Sequence, residues 1–124
     1  MTVGSVMELL SVQTILFTVF GTFAGIIVGA IPGLTATMAV AVLTSLTFGM
    51  NDIDAIAMML GVFVGGVYGG SIAAILMKVP GTSSAVMTSL DGYPMAQRGE
   101  AGKAIGISTV SSFIGGMFSC IVLV

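Results

Sequence analysis

Polar residues in this chain are confined to a few short stretches, separated by apolar segments of near-membrane length. No charge occurs between Glu8 and Asp52, between Asp54 and Lys78, or after Lys103. Apolar runs fall at about 15–31, 34–50, 55–77 and 104–124, with a polar connection at 78–103. A bilayer's hydrocarbon core takes about 20 helical residues to cross. Lipid cannot satisfy backbone N–H and C=O groups, so such runs must fold as helices. The pattern predicts an all-α integral membrane protein, a polytopic helical bundle. Residues 1–124 read as a single transmembrane region.

The spans differ in clarity. Ala55 to Met77 would extend about 35 Å as a helix and cross with some tilt. The polar "NDID" at 51–54 precedes it, and Asn51, Asp52 and Asp54 read as helix caps. The 15–50 region is ambiguous, because Ile31-Pro32-Gly33 breaks a charge-free stretch. Proline disfavours helix at the residue before it, and glycine frees the backbone. Two crossings with a tight turn, or one crossing plus a re-entrant hairpin, fit equally. All three Lys/Arg residues, Lys78, Arg98 and Lys103, lie in the 78–103 connection. The positive-inside rule puts that connection on the cytoplasmic side. Arg98, Glu100 and Lys103 read as a solvated face, and Lys78 as a side chain reaching to the interface.

Glycine is abundant, at 18 residues, and its spacing is regular. Gly21, Gly25, Gly29 and Gly33 recur every four residues, as do Gly61, Gly65 and Gly69. Fourfold spacing keeps them near one helix face. Such a face lets two backbones approach, and dispersion contacts then hold helices together in lipid. The sharper reading is a smooth face that slides or admits substrate to the backbone.

Composition supports the membrane reading: 56% of residues are hydrophobic and only 6% charged, against about 25% charged in a soluble domain. The net charge of −2 and the lack of a basic stripe argue against a nucleic-acid partner. Cys120 is the lone cysteine, read as a small packing residue. The N-terminus lacks the basic residues of a secretory signal, so its first apolar run reads as a retained span. The chain ends inside the apolar "FSCIVLV", which makes it read as a fragment or the N-terminal portion of a longer protein.

Chemistry is sparse. The sequence has no histidine, no metal-ligand spacing, no phosphate loop and no nucleophile with a nearby base. The ten methionines, spread through apolar runs, read as packing filler. No cofactor, no metal site and no enzyme activity are expected. What remains is two Pro-Gly breaks. "VPGTSSA" combines Pro80, Gly81, Thr82, Ser83 and Ser84, and "IPGLTAT" combines Pro32, Gly33, Thr35 and Thr37. Paired breaks in apolar segments mark the broken helices of transporters, whose free N–H groups suit an anion. The plainer reading of each is an interfacial turn. "DGYP" at 91–94 reads as a turn followed by a helix start, with Asp91 either structural or a cation ligand, Gly92 left-handed and Pro94 in the first turn.

Two stretches resemble a known family. "GIIVGAIPGLTATMAVAVL" (25–43) and, more closely, "GVYGGSIAAILMKVPGTSSAVMTSLDGYPMAQRGEAGKAIGI" (66–107) are similar to signatures of the large membrane subunit of tripartite tricarboxylate transporters. Lys78 departs from the polar residue, such as Asn, expected at its position. The resemblance implies a multi-pass protein of the bacterial inner membrane. It implies secondary active uptake of tricarboxylates or related small carboxylates, driven by a coupling cation, Na+ or H+. The implied partners are a small membrane subunit and a periplasmic solute-binding protein. The family is grouped with elevator-type transporters that use re-entrant hairpins. On that basis Pro80, Gly81, Thr82, Ser83, Ser84, Gly33 and Thr35 are the expected substrate contacts. A non-transporting scaffold subunit and a passive channel are the alternatives.

Overall fold

The computed structural model describes residues 2–124 and is all-helical. A short helix α1 (Val3–Leu9) leads into α2 (Val12–Gly29). Then come α3 (Ala36–Leu43), a 3-10 turn (Thr44–Thr47), α4 (Asp52–Met77), α5 (Ala85–Gln97) and α6 (Ala101–Leu123). Among the described residues, α2, α4 and α6 are long and apolar enough to cross a membrane. The expected segments 15–31, 55–77 and 104–124 therefore each coincide with a long helix.

Local chemistry sets the ends. Ser11 opens α2, its hydroxyl accepting from the Thr14 N–H at 3.2 Å. The helix stops at Gly29, with Pro32 ahead of any further turn. Thr35 caps α3, its Oγ1 accepting from the Met38 N–H at 3.3 Å. Asn51 caps α4 through its backbone, without a side-chain bond. Helix α4 closes on Lys78, which takes a left-handed conformation (φ 57°).

The core is the crossing of α2 and α4. Gly21 lies against the Met58 carbonyl, Gly25 against that of Val62, and Gly29 against that of Gly66. From the other helix, Gly61, Gly65 and Gly69 lie against the carbonyls of Thr18, Thr22 and Ile26. A Cβ at Gly61 would come within 2.6 Å of the Thr18 oxygen, so side chains are excluded. Thr18 and Thr22 turn their hydroxyls back to the carbonyls of Thr14 and Thr18, each at 2.8 Å, so these hydroxyls are satisfied within α2. Gly33, the next in the series, falls outside the seam. It lies in the loop after α2 with φ 91°, and a Cβ added there would meet nothing within 4 Å.

Partner numbers rise together along both helices, so α2 and α4 are parallel. Consecutive parallel helices require a return between them, and α3 with the 3-10 turn supplies it. These 12 residues, Ala36–Thr47, are too few to cross a bilayer, which needs about 20. The segment expected at 34–50 is therefore a partial return. Ala36 packs on Gly66 and the chain reaches Asn51 at the opposite end of α4. Helix α2 ends level with Gly66 to Gly69, and α4 continues to Met77, about 12 Å further.

Beyond Lys78 the chain turns back along α4. Gly81 meets Gly70, and α5 then returns with Gly92 seated on Ile75. The connection at 78–103 thus contains a helix that sequence pattern missed. Residues 91–94 are not a turn: they lie inside α5, Gly92 has no positive φ, and Pro94 is near the helix end. Gly92 is needed because a Cβ there would strike Ile75 at 2.7 Å. The Lys78 Nζ sits 5.6 Å from the Tyr93 ring centre, which ties the end of α4 to α5.

Two further expectations change. Asp54 does not cap α4. Its side chain is 5% exposed and accepts from the Thr14 hydroxyl at 2.6 Å, joining α4 to the start of α2. Cys120 is exposed rather than packed, on a helix α6 that buries only Ala104.

Gly25→Ala forces the seam apart and should lower stability by about 1–3 kcal/mol. Gly4→Ala, which projects into open space, should leave it unchanged or raised. Thermal unfolding of the detergent-purified full-length protein checks both.

Candidate functional site

The two Pro-Gly breaks are distant in sequence and adjacent in space. The first is the bend between α2 and α3; the second is the bend between α4 and α5. Their tips arrive from opposite ends of α4 and meet at its Gly66–Gly70 stretch. Gly81 makes this approach possible. A Cβ on it would lie 2.9 Å from the Gly70 Cα and 3.4 Å from the carbonyl oxygens of Gly29 and Leu34.

A cavity of about 350 Å³ opens between the tips, lined by Thr35, Ala36 and Thr37 from one, and Gly81, Thr82, Ser83 and Ser84 from the other. Phe63 and Val67 of α4 form its apolar wall. Five of the seven residues expected to contact substrate come together here. Pro80 and Gly33 do not line the cavity. Pro80 lies in the second bend just before the lining residues, and Gly33 supplies the left-handed residue that turns the chain into α3. Thr37 belongs to the cavity, and its place in the "LTAT" run was visible in the sequence. Phe63 and Val67 were not foreseeable, because nothing distinguishes them locally from other apolar residues of α4.

The electrostatics follow from the helix ends. Both α3 and α5 begin at this cavity, and a helix leaves its first N–H groups without intrahelical partners. Among the described residues, no backbone carbonyl accepts from the N–H of Gly81, Thr82, Ser83 or Ser84. Ser84 precedes α5 without forming a side-chain cap. Its hydroxyl lies 3.0 Å from that of Thr82. Two helix N-termini, each equivalent to about half a positive charge, thus face one small volume dressed with hydroxyls. No charged side chain lines it. Donors of this kind are chemically suited to an anion with several oxygens.

Asp91, the other expected site residue, is separate. It faces a second, larger cavity between α4, α5 and α6.

Residues 15–124 match the model of the tripartite tricarboxylate transporter TctA family. The chain belongs to the TctA family. It is also similar to an uncharacterised 52.8 kDa protein from the TAR-I ttuC' 3' region of Agrobacterium vitis, at 38% identity over 103 residues. That match covers 83% of this chain and 20% of the relative, so the chain spans about a fifth of that protein's length. No solved structure gives a significant match. Both breaks lie within the matched range.

Gly81→Val should separate the two tips and lower the melting temperature of the full-length TctA protein. It should also expose a cysteine placed at Thr82 to thiol reagents more fully than in the Gly81 parent.

Proposed function

We propose that this chain forms part of the substrate-translocating subunit of a binding-protein-dependent uptake system for tricarboxylates or related small carboxylates. The observation that carries the reading is the paired bend: two helix N-termini and five hydroxyl side chains converge on one cavity without a counter-charge. A carboxylate entering it exchanges water for N–H and O–H donors already oriented by the fold. Phe63 and Val67 then accommodate the carbon skeleton. Hydrogen bonds to a charged group contribute about 1.5–3 kcal/mol each, so a few suffice for micromolar retention without an arginine.

Mechanically, the two bends reach the cavity from opposite ends of α4, which suits access to one site from either side of the membrane. The glycine seam joins α2 and α4 through backbone, so the α2–α3 hairpin and α4 move as one body. The TctA relationship supports a three-component system. In this reading a periplasmic solute-binding protein delivers the acid, a small membrane subunit completes the assembly, and a gradient of Na+ or H+ drives uptake across the bacterial inner membrane.

Uptake of labelled citrate and related acids by the complete transporter tests the assignment. Thr82→Val and Ser83→Ala should each raise KM by about tenfold, the effect of losing one hydrogen bond to a charged group. Unchanged KM and maximal rate in both variants would remove the cavity from the transport path.

A further inference from the structure

Charge is segregated along the long axis of the bundle. Glu8, Asp52 and Asp54 line one cavity where α2 and α4 begin. All three cations, Lys78, Arg98 and Lys103, lie toward the other end. Gly92 of α5 packs on Ile75 of α4, and Ala104 of α6 borders the same cavity as Ile75, Gly92 and Met95. Lys78 and Arg98 stand three residues beyond Ile75 and Met95, and Lys103 directly precedes Ala104. The three cations therefore lie within about one helical turn of a common level. All are exposed. The Lys78 Nζ rests on the Tyr93 ring, and the Arg98 Nε donates to the Pro94 carbonyl at 3.4 Å, so neither contact neutralises a charge. Glu100 is the one acid beside them. Asp91 comes seven residues before Arg98, about 10 Å deeper along α5.

A groove of about 650 Å³ lies deeper, between α2, α4 and α6. Ile26, Phe63, Val64 and Phe113 give it an apolar wall. The Thr109 hydroxyl donates to the Ile105 carbonyl at 2.8 Å, so the Tyr68 hydroxyl, 2.5 Å away, donates to Thr109 and joins α4 to α6 there. Thr109 and Phe113 follow Lys103 by six and ten residues, about 9 and 15 Å along α6. One leaflet of a bilayer's hydrocarbon core is about 15 Å deep. The groove thus sits at the depth that an acyl chain reaches from a headgroup at the level of the cations.

We propose that this end of the chain binds one phospholipid with an anionic headgroup, its phosphate held by Lys78, Arg98 and Lys103 and one acyl chain lying in the groove. Lysine and arginine take phosphate oxygens by charge-assisted N–H bonds. Basic clusters at the ends of spanning helices recognise anionic lipid in this way. Three cations less Glu100 leave this end at +2, which complements an anionic headgroup better than a zwitterionic one. The same lipid supplies what α6 lacks. That helix buries only Ala104, and a headgroup bridging the three cations fastens its start to the ends of α4 and α5. The proposal is independent of the carboxylate reading above.

The test uses the purified full-length protein in neutral detergent. It is titrated with phosphatidylglycerol or phosphatidylcholine of the same acyl chains, and bound lipid is counted by native mass spectrometry. The native protein should bind its first phosphatidylglycerol at least tenfold more tightly than phosphatidylcholine. The triple variant Lys78→Gln/Arg98→Gln/Lys103→Gln should lose that preference and retain one fewer phosphatidylglycerol. Val64→Trp, which fills the groove and keeps the cations, should weaken phosphatidylglycerol about tenfold. If Val64→Trp does not fold, a short-chain phosphatidylglycerol on the native protein takes its place and should bind at least tenfold more weakly than the long-chain lipid. Equal affinity for the two headgroups would overturn the proposal, as would a preference that survives the triple variant. So would binding that ignores both the filled groove and the chain length, or displacement of the lipid by an equal concentration of inorganic phosphate, which marks a free-anion site.

Discussion

Backbone-to-backbone contact between α2 and α4 is the constraint on which the rest of the structure depends. Six glycines, three from each helix, place Cα atoms against the carbonyls of the facing helix. In lipid no hydrophobic effect drives two apolar helices together, so contact must come from close fit. The fit here holds over three turns and in parallel register. Parallel register has a topological consequence. The chain between the helices has to come back, and it does so with α3 and a 3-10 turn rather than a second full crossing. The first bend is thereby held at the Gly66–Gly70 level of α4, away from either end.

Holding a bend there would be costly without a second element. Lipid would offer the open N–H groups at the start of α3 no partner. The second bend meets them from the opposite side, brought within reach because Gly81 and Gly70 both lack side chains. The two unfinished helix ends then share a polar volume instead of facing hydrocarbon. Thr35 and Thr37 on one side and Thr82, Ser83 and Ser84 on the other supply hydroxyls at the place where free N–H groups accumulate. Fold and site are the same feature. What makes the helices stop also makes the pocket proposed for the anion.

Much of this is legible in the amino-acid sequence. Charge-free runs identify α2, α4 and α6, and fourfold glycine spacing picks out both sides of the seam. Proline, glycine and hydroxyl content mark the two Pro-Gly breaks as paired candidates. The misses have physical causes. Helix α5 escapes the pattern because Gly92 and Pro94 are local helix breakers. Packing of Gly92 on Ile75 overrides that preference, and Pro94 sits near the end, where few intrahelical bonds remain to lose. Asp54 looks like a cap because it lies in the first turn of α4; its bond to Thr14 spans 40 residues of sequence and leaves no local trace. The parallel run of α2 and α4, and with it the partial return of 34–50, depends on which glycine faces which carbonyl. Spacing reveals a face but not its partner.

The most direct test of the account is a map of the complete subunit with a bound carboxylate. The account predicts density for the acid between Thr35–Thr37 and Thr82–Ser84, level with Gly66 to Gly70 and inside the hydrocarbon zone. An acid bound elsewhere, with residues 80–84 standing in bulk water, would contradict it.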